Sequence, residues 1–352
     1  MRIQYSYLDK QFKNDPVLWK RLKTFVKTGD FTLGLPLHKF EKKFAKLIGS
    51  KYAIGVNSGT DAIKLSLKIL NVKPGDEVIT AANTFVATVG AICEIGAKPV
   101  FIDCDDTFCM NLDHLEKKIT KKTKAIVPVH FTGYMVDMPR LTKIAKKHSI
   151  PIVEDACQSI LASVNGKNAG TFGVFGAFSF HPLKNINVWS DGGIIVTDSK
   201  KHYLKLKLLR NHGLSDRNTV EICGYNSRLD TFQAVVGDWL LPQARSIAQK
   251  RIKNANYLDR KFKNIKEIKI PERIKNMKIV YHLYIIFVQK RNALLKHLLK
   301  CGIEAKVHYP KPMYLQKAIR FLGYKKNDFP VTDRHTKTII TLPCHQHLKK
   351  MN

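Results

Sequence analysis

Acidic side chains are scarce in this chain: 28 Asp and Glu stand against 60 Lys and Arg over 352 residues, a formal charge of +32. Such a surface attracts phosphate without sequence preference. The lysines, however, come as scattered pairs such as Lys42-Lys43, Lys117-Lys118, Lys121-Lys122, Lys146-Lys147 and Lys349-Lys350, which interrupt apolar helical periodicity. No aromatic-interleaved basic motif or Cys/His finger accompanies them, so a solvated lysine-rich face is favoured over nucleic-acid binding. Also missing is any CxxC pair. The seven cysteines (Cys93, Cys104, Cys109, Cys157, Cys223, Cys301, Cys344) are odd in number and several lie in apolar contexts. That argues against a disulfide framework or a metal site and predicts reduced, mostly buried thiols in a cytoplasmic protein. No apolar run reaches membrane-spanning length, and Met1-Arg2-Ile3-Gln4-Tyr5 has no signal core. Internal repeats, low-complexity segments and flexible linkers are absent too.

What is present is enough apolar residue, 44%, for a large core. Residues 39 to 49 place Phe40, Phe44, Leu47 and Ile48 on one helical face, with Gly49 at the C-cap. A short strand at Ile54-Gly55-Val56 leads through Asn57-Ser58-Gly59-Thr60-Asp61 into a helix ending at Leu70. Strands are predicted at 77–80, 99–103, 125–129, 150–154 and 194–197, with a helix over 86–95. Strands alternating with helices predict an α/β fold with a mostly parallel central sheet flanked by helices, ligand groups lying at strand C-terminal ends. After about residue 245 the pattern changes to a basic helix over 251–262, an aromatic-containing strand over 279–288 and a helix over 291–301. Two domains are expected, 1–245 and a smaller C-terminal α/β domain, 246–352, packed on rather than tethered.

Three segments carry chemistry. Ser58-Gly59-Thr60 opens a helix directly after a strand, so backbone N–H groups and the helix dipole can hold an anion; an ordinary N-cap is the bland alternative. Asp155 stands at the end of the strand segment Ile152-Val153-Glu154, placed either to pair with a ring nitrogen or to cap a turn. Lys184 lies in Phe178-Ser179-Phe180-His181-Pro182-Leu183-Lys184-Asn185, closed by Trp189-Ser190-Asp191-Gly192-Gly193, beside turn residues rather than on a solvated helix face. A strand-end carboxylate followed by a lone turn lysine is the arrangement pyridoxal phosphate (PLP) chemistry requires. The lysine forms a Schiff base with the aldehyde, and the acid keeps the pyridine nitrogen protonated. Ser179 can add a hydroxyl to the phosphate and Gln158 a hydrogen bond to the phenolic oxygen. Phe85 either stacks on the ring or belongs to the core.

These segments resemble the DegT/DnrJ/StrS-type nucleotide-sugar aminotransferases, PLP enzymes of fold type I (aspartate-aminotransferase-like). The resemblance starts at Tyr7-Leu8-Asp9 and Gly29-Asp30-Phe31-Thr32-Leu33-Gly34. It continues through Val56 to Ala62, Pro74 to Val78, Pro128 to Gly133, Glu154-Asp155, the Lys184 segment, Arg210 to Gly213 and Gly224 to Asp230. Val307-His308-Tyr309-Pro310 and Leu342-Pro343 finish it. It implies Lys184 and Asp155 as catalytic residues. It also implies a cofactor held by Ser58, Gly59, Thr60, Phe85, Asp155, Gln158, Ser179, Lys184 and Asn226. The asparagine matching Asn226 reaches the phosphate of the neighbouring subunit's cofactor, so a homodimer with shared active sites is implied. Phe31, Thr32, His181, His308 and Tyr309 become the substrate-binding set, with His181 either lining the site or packing, and His212 on a neighbouring loop. The implied reaction moves an amino group from glutamate (or glutamine) to a nucleotide-linked keto-sugar, for amino-sugar and polysaccharide or secondary-metabolite biosynthesis.

Two rivals remain open: a PLP-dependent sugar dehydratase, in which a histidine replaces the lysine within the superfamily, and a non-catalytic regulator or basic nucleic-acid binder that keeps the fold. Retention of Lys184 favours transamination. Two departures are noted against the family pattern: Ser190 where glycine is usual, which predicts a more constrained loop, and a chain end at Met351-Asn352 that predicts a shortened small domain.

Overall fold

The computed structural model describes residues 2–13 and 15–348; Lys349-Lys350 and Met351-Asn352 lie outside the described residues. The central sheet uses β1 (Tyr52–Val56), β2 (Glu77–Ala81), β3 (Lys98–Ile102), β4 (Thr123–Val127), β5 (Val153–Asp155), β6 (Phe175–Ser179) and β7 (Gly193–Thr197). Two ladders, β1-β7-β6-β5 and β3-β2-β4, are joined by the parallel bridges Ile126–Ile152 and Val129–Asp155. The spatial order is therefore β1-β7-β6-β5-β4-β2-β3. Only β7 runs antiparallel to its neighbours, and the rest of the sheet is parallel as expected. The reason is local. The connection from β6 to β7 carries the Lys184 loop and no helix, and a parallel return needs a crossover, usually helical. Strands buried on both faces read as apolar runs, which is why periodicity located them.

Helices clamp the sheet where the site forms. Leu35–Ile48 starts with Pro36 in its first turn and stops at Gly49, whose φ of 90° is the left-handed C-cap conformation. Its Phe44 ring meets Phe178 and Phe180 at 5.2 and 5.4 Å, tying the helix to β6 and the start of the lysine loop. Buried Glu41 on the same helix accepts the Gly55 N–H at 2.7 Å and pairs with buried Arg210, which also donates to the Gly55 carbonyl at 2.7 Å. Strand β1 is thus pinned just before it delivers Ser58-Gly59-Thr60.

Beyond the central sheet, Ala244–Phe262 is one 19-residue helix, beginning at Ala244 rather than at Arg251. Strands β8 (Ile268–Lys269), β9 (Tyr284–Val288) and β10 (Ile339–Leu342) form a second, antiparallel sheet in the order β8-β9-β10. Helices Arg291–Lys300 and Pro330–Thr338 accompany it. The apolar core runs without a break from Phe40 and Ile79 to Tyr284, Ile286 and Ile340, so both sheets share it. One expectation needs correction: Ile279 to Val288 is not a continuous strand. Its first half leaves extended geometry at Tyr281, φ 47°, and bonds the turn at 131–133 instead, Val280 N–H to Gly133 O at 3.2 Å and Leu283 N–H to Thr132 O at 3.1 Å. The loop constraint expected at Ser190 falls one residue earlier, since Trp189 takes the positive φ of 73°.

Candidate active site

The cavity at the C-terminal ends of β5 and β6 holds about 280 Å³. Ser58, Gly59, Thr60, Phe85, Asp155, Gln158, Ser179, His181, Lys184, His308 and Tyr309 all line it. Phe31, Thr32 and Asn226 do not. They gather in a second cavity of about 230 Å³ with Asn57, Arg228 and Asp230. His212 lines neither. A wider, open groove of about 720 Å³ along Arg273 and Met277 contains none of the expected residues and no cluster of reactive groups.

Each group in the first cavity is aimed by its neighbours. Ser58 caps the helix Gly59–Ile69, its hydroxyl accepting the Asp61 N–H at 3.1 Å, so the first turn points free N–H groups into the cavity. Gly59 is needed for space: a Cβ there would lie 2.8 Å from both Cys157 Sγ and Ser179 Cβ. The ordinary N-cap and the anion site are one structure. Asp155 is buried, and its Oδ2 accepts the Thr88 hydroxyl at 2.7 Å while Oδ1 accepts the Cys157 N–H at 3.2 Å. Because Thr88 spends its proton on Asp155, the 2.7 Å contact with Thr84 makes Thr84 the donor of that pair. Gln158 Oε1 accepts the Thr132 N–H at 2.7 Å, which leaves the amide NH₂ as its donor toward the cavity. Phe85 is 47% exposed and sits 5.9 Å from the Tyr309 ring, so it is a cavity wall and not core.

Lys184 is held from behind. The Tyr7 hydroxyl donates to its carbonyl at 2.9 Å and contacts that of Leu183 at 3.3 Å. Burial pulls the Lys184 ammonium below its ordinary pKa of 10.5, with Cys157 and Asp155 opposing. Burial likewise lowers His181, takes His308 down to about 4 and pushes His282 well below its usual value, Lys184 adding to each effect. The Cys157 thiol is pushed well up, chiefly by burial and then by Asp155, and stays protonated. Sequence reasoning missed Tyr5, Thr84, Thr88, Asp191 and His282. The i, i+4 spacing of Thr84 and Thr88 was the only trace of that pair, and a lone histidine in an apolar segment left none.

The residues present fit pyridoxal phosphate on the structure's own terms: an anion cradle at Gly59 that a Cβ would fill, a carboxylate with neutral partners, and a lysine whose charged form is disfavoured. Fold and site together define a type I PLP enzyme. Residues 15–352 match the DegT/DnrJ/EryC1/StrS aminotransferase family. A pleiotropic regulatory protein of Geobacillus stearothermophilus is 36% identical over 99% of this chain and 95% of its own length. UDP-N-acetyl-3-dehydro-alpha-D-glucosamine 3-aminotransferase of Acidithiobacillus ferrooxidans is 36% identical over 91% and 86%. Among solved structures, S. venezuelae DesV in complex with ketimine intermediate superposes with a TM-score of 0.97 at 32% identity, covering 99% of this chain and 95% of that one. PMP-form and PLP-form structures of a Streptococcus pneumoniae relative both reach a TM-score of 0.92 at 28% identity, over 99% of this chain and 94–95% of theirs. The chain belongs to the DegT/DnrJ/EryC1/StrS aminotransferase family, and its fold is that of the PLP-dependent sugar aminotransferases. Among the described residues no helix is long and apolar enough to cross a membrane.

Proposed function

We propose that this protein transfers an amino group from glutamate (or glutamine) to a nucleotide-linked keto-sugar, with Lys184 as the attachment point and proton carrier. The observation that carries the reading is the meeting of Lys184, Asp155 and the N-terminus of helix Gly59–Ile69 around one cavity. Pyridoxal phosphate supplies there an aldehyde that bonds amines and a ring that accepts electrons. The free N–H groups of Gly59 and Thr60, with the Ser179 hydroxyl, hold its phosphate; the Asp155 carboxylate pairs with its ring nitrogen; the Gln158 amide donates to its phenolic oxygen. Released Lys184, kept short of its proton by burial, takes the proton from the donor's Cα and returns one in the second half of the cycle. His181, His308 and Tyr309 shape the substrate side.

The grouping of Phe31, Thr32 and Asn226 away from Lys184 supports a homodimer. In that reading Asn226 of one protomer completes the phosphate site of its partner, and Phe31 and Thr32 complete its sugar pocket. The boundary near residue 245 divides a cofactor-binding part from a smaller part that contributes His308 and Tyr309, and the enzyme works in the cytoplasm. A nucleotide-linked keto-sugar is the substrate class, UDP-linked in the names of some relatives and dTDP-linked in those of others.

The test is the absorbance spectrum of the purified protein with PLP, before and after glutamate, beside Lys184→Ala. A visible band that depends on Lys184 and bleaches with glutamate is the expected result. A bound cofactor that ignores both glutamate and glutamine moves the reading to a dehydratase. No lysine-dependent band refutes the enzymatic reading and leaves the regulatory one.

A further inference from the structure

His282 lines the Lys184 cavity and is not accounted for by the cofactor contacts above. Its backbone is gripped from two sides. The turn at 131–133 bonds Val280 and Leu283, and Asn185 Nδ2 and Arg251 Nη1 donate to the carbonyls of Val280 at 3.2 Å, Tyr281 at 3.1 Å and His282 at 3.4 Å. Asn185 directly follows Lys184, so the lysine loop itself clamps this segment. Between the clamps Tyr281 sits at φ 47°, a region that a bulky side chain occupies only where its surroundings impose it. Gly133 permits the approach, since a Cβ there would come within 2.7 Å of the Tyr281 nitrogen. Five backbone hydrogen bonds and one strained residue therefore deliver the His282 ring to the cavity wall.

The ring's two nitrogens face different surroundings. Nδ1 is sealed and has no partner among the described residues, which leaves the Nε2 edge for the cavity. Burial first, then the neighbouring Lys184 and Arg251, keep the ring uncharged, so it holds one N–H and one lone pair. A sealed lone pair without a partner is tolerated better than a sealed N–H. The hydrogen-bond inventory thus assigns the proton to Nε2.

We propose that His282 is a further substrate-binding residue, whose Nε2–H donates to a substrate oxygen in the Lys184 cavity. That oxygen belongs either to the carboxylate of the amino donor or to a carbonyl or hydroxyl of the keto-sugar. The proposal rests on the aminotransferase reading above.

Full-length protein with PLP is compared as wild type, His282→Phe and His282→Gln, following separately the bleaching by glutamate and its reversal by UDP-N-acetyl-3-dehydroglucosamine. His282→Phe keeps the Lys184-dependent band and raises KM about tenfold in the half-reaction whose oxygen it binds, and His282→Gln, which retains an N–H donor, recovers most of that loss. A defect confined to the glutamate step identifies the carboxylate, and one confined to the reversal identifies the sugar. Equal losses in Phe and Gln variants, or none, overturn the proposal. Nitrogen-15 histidine spectra judge His282 even if wild type fails to bleach, a result that would refute the functional reading instead. The Nε2–H form is expected, moving when glutamate or the sugar is added; an Nδ1–H form, or a ring blind to both, overturns the assignment.

Discussion

Replacing Glu154 by glutamine tests what holds the Asp155 carboxylate in place, because Glu154 is the residue before Asp155 on β5 and is itself fully buried. Its Oε1 accepts the N–H groups of Phe172 at 2.6 Å and Gly173 at 2.7 Å; its Oε2 accepts Gly170 N–H at 2.8 Å and His130 Nε2 at 2.9 Å. His130 cannot turn its lone pair toward the new amide, since its Nδ1 already accepts the Val136 N–H at 3.2 Å. Glutamine keeps the shape and one oxygen, but whichever position becomes NH₂ leaves two buried donors without an acceptor. At about 1–3 kcal/mol each, the loss is about 2–6 kcal/mol. An unfolding entropy of about 2.1 cal/mol/K per residue over 352 residues turns that into a fall of about 3–8 °C in Tm. Circular dichroism melts of cofactor-free wild type and variant measure it. A shift below about 1 °C would mean that the donors find other acceptors and that Glu154 is not the anchor.

Gly59→Ala introduces a methyl group against Cys157 Sγ and Ser179 Cβ, each 2.8 Å away, inside the proposed phosphate cradle. Cofactor affinity measured by equilibrium dialysis is expected to fall about tenfold or more, and unchanged affinity would place the phosphate elsewhere. Lys184→Met in cofactor-free protein is expected to be more stable than wild type at neutral pH. The folded state holds Lys184 below its unfolded value of 10.5, so the wild type carries a penalty that is full below the folded pKa. Stability then rises by about 1.4 kcal/mol per pH unit between the two values, and the gap to the methionine variant closes as pH approaches 10.5. Denaturant titrations across that range read it, and a less stable methionine variant would show that Lys184 is not held against its charge.

Local signals carried most of the architecture. Gly49 and Ser58 mark helix ends through backbone conformation and a short polar cap, and both effects are visible within a few residues. Strands β2 to β4 are apolar runs because both faces are buried. The strand reading of Ile279 to Leu283 failed for the complementary reason: the segment is apolar and aromatic, but its hydrogen-bond partners, the 131–133 turn, Asn185 and Arg251, lie far away in sequence. Thr88 under Asp155 and Glu154 among three loop N–H groups are invisible in the same way. The separation of Phe31, Thr32 and Asn226 from Lys184 is a three-dimensional fact that residue order does not contain.

The partners of the two reactive groups explain how a chain so rich in lysine keeps its site reactive. Asp155 has no ion-pair partner among the described residues; its carboxylate oxygens are held by a hydroxyl and a backbone N–H. A protein cation there would already have satisfied the charge that the proposed ring nitrogen needs. Lys184 in turn has no carboxylate within ion-pair distance among the described residues, so nothing strongly restores the proton that burial disfavours. The anion binding proposed above falls to groups that carry no net charge, namely the helix N–H groups, Ser179 and the Gln158 amide. An arginine doing the same work beside the phosphate would bind it more tightly but would also be drawn to Asp155. Most of the surplus lysines lie on the surface, and none of them is among the groups that shift Lys184.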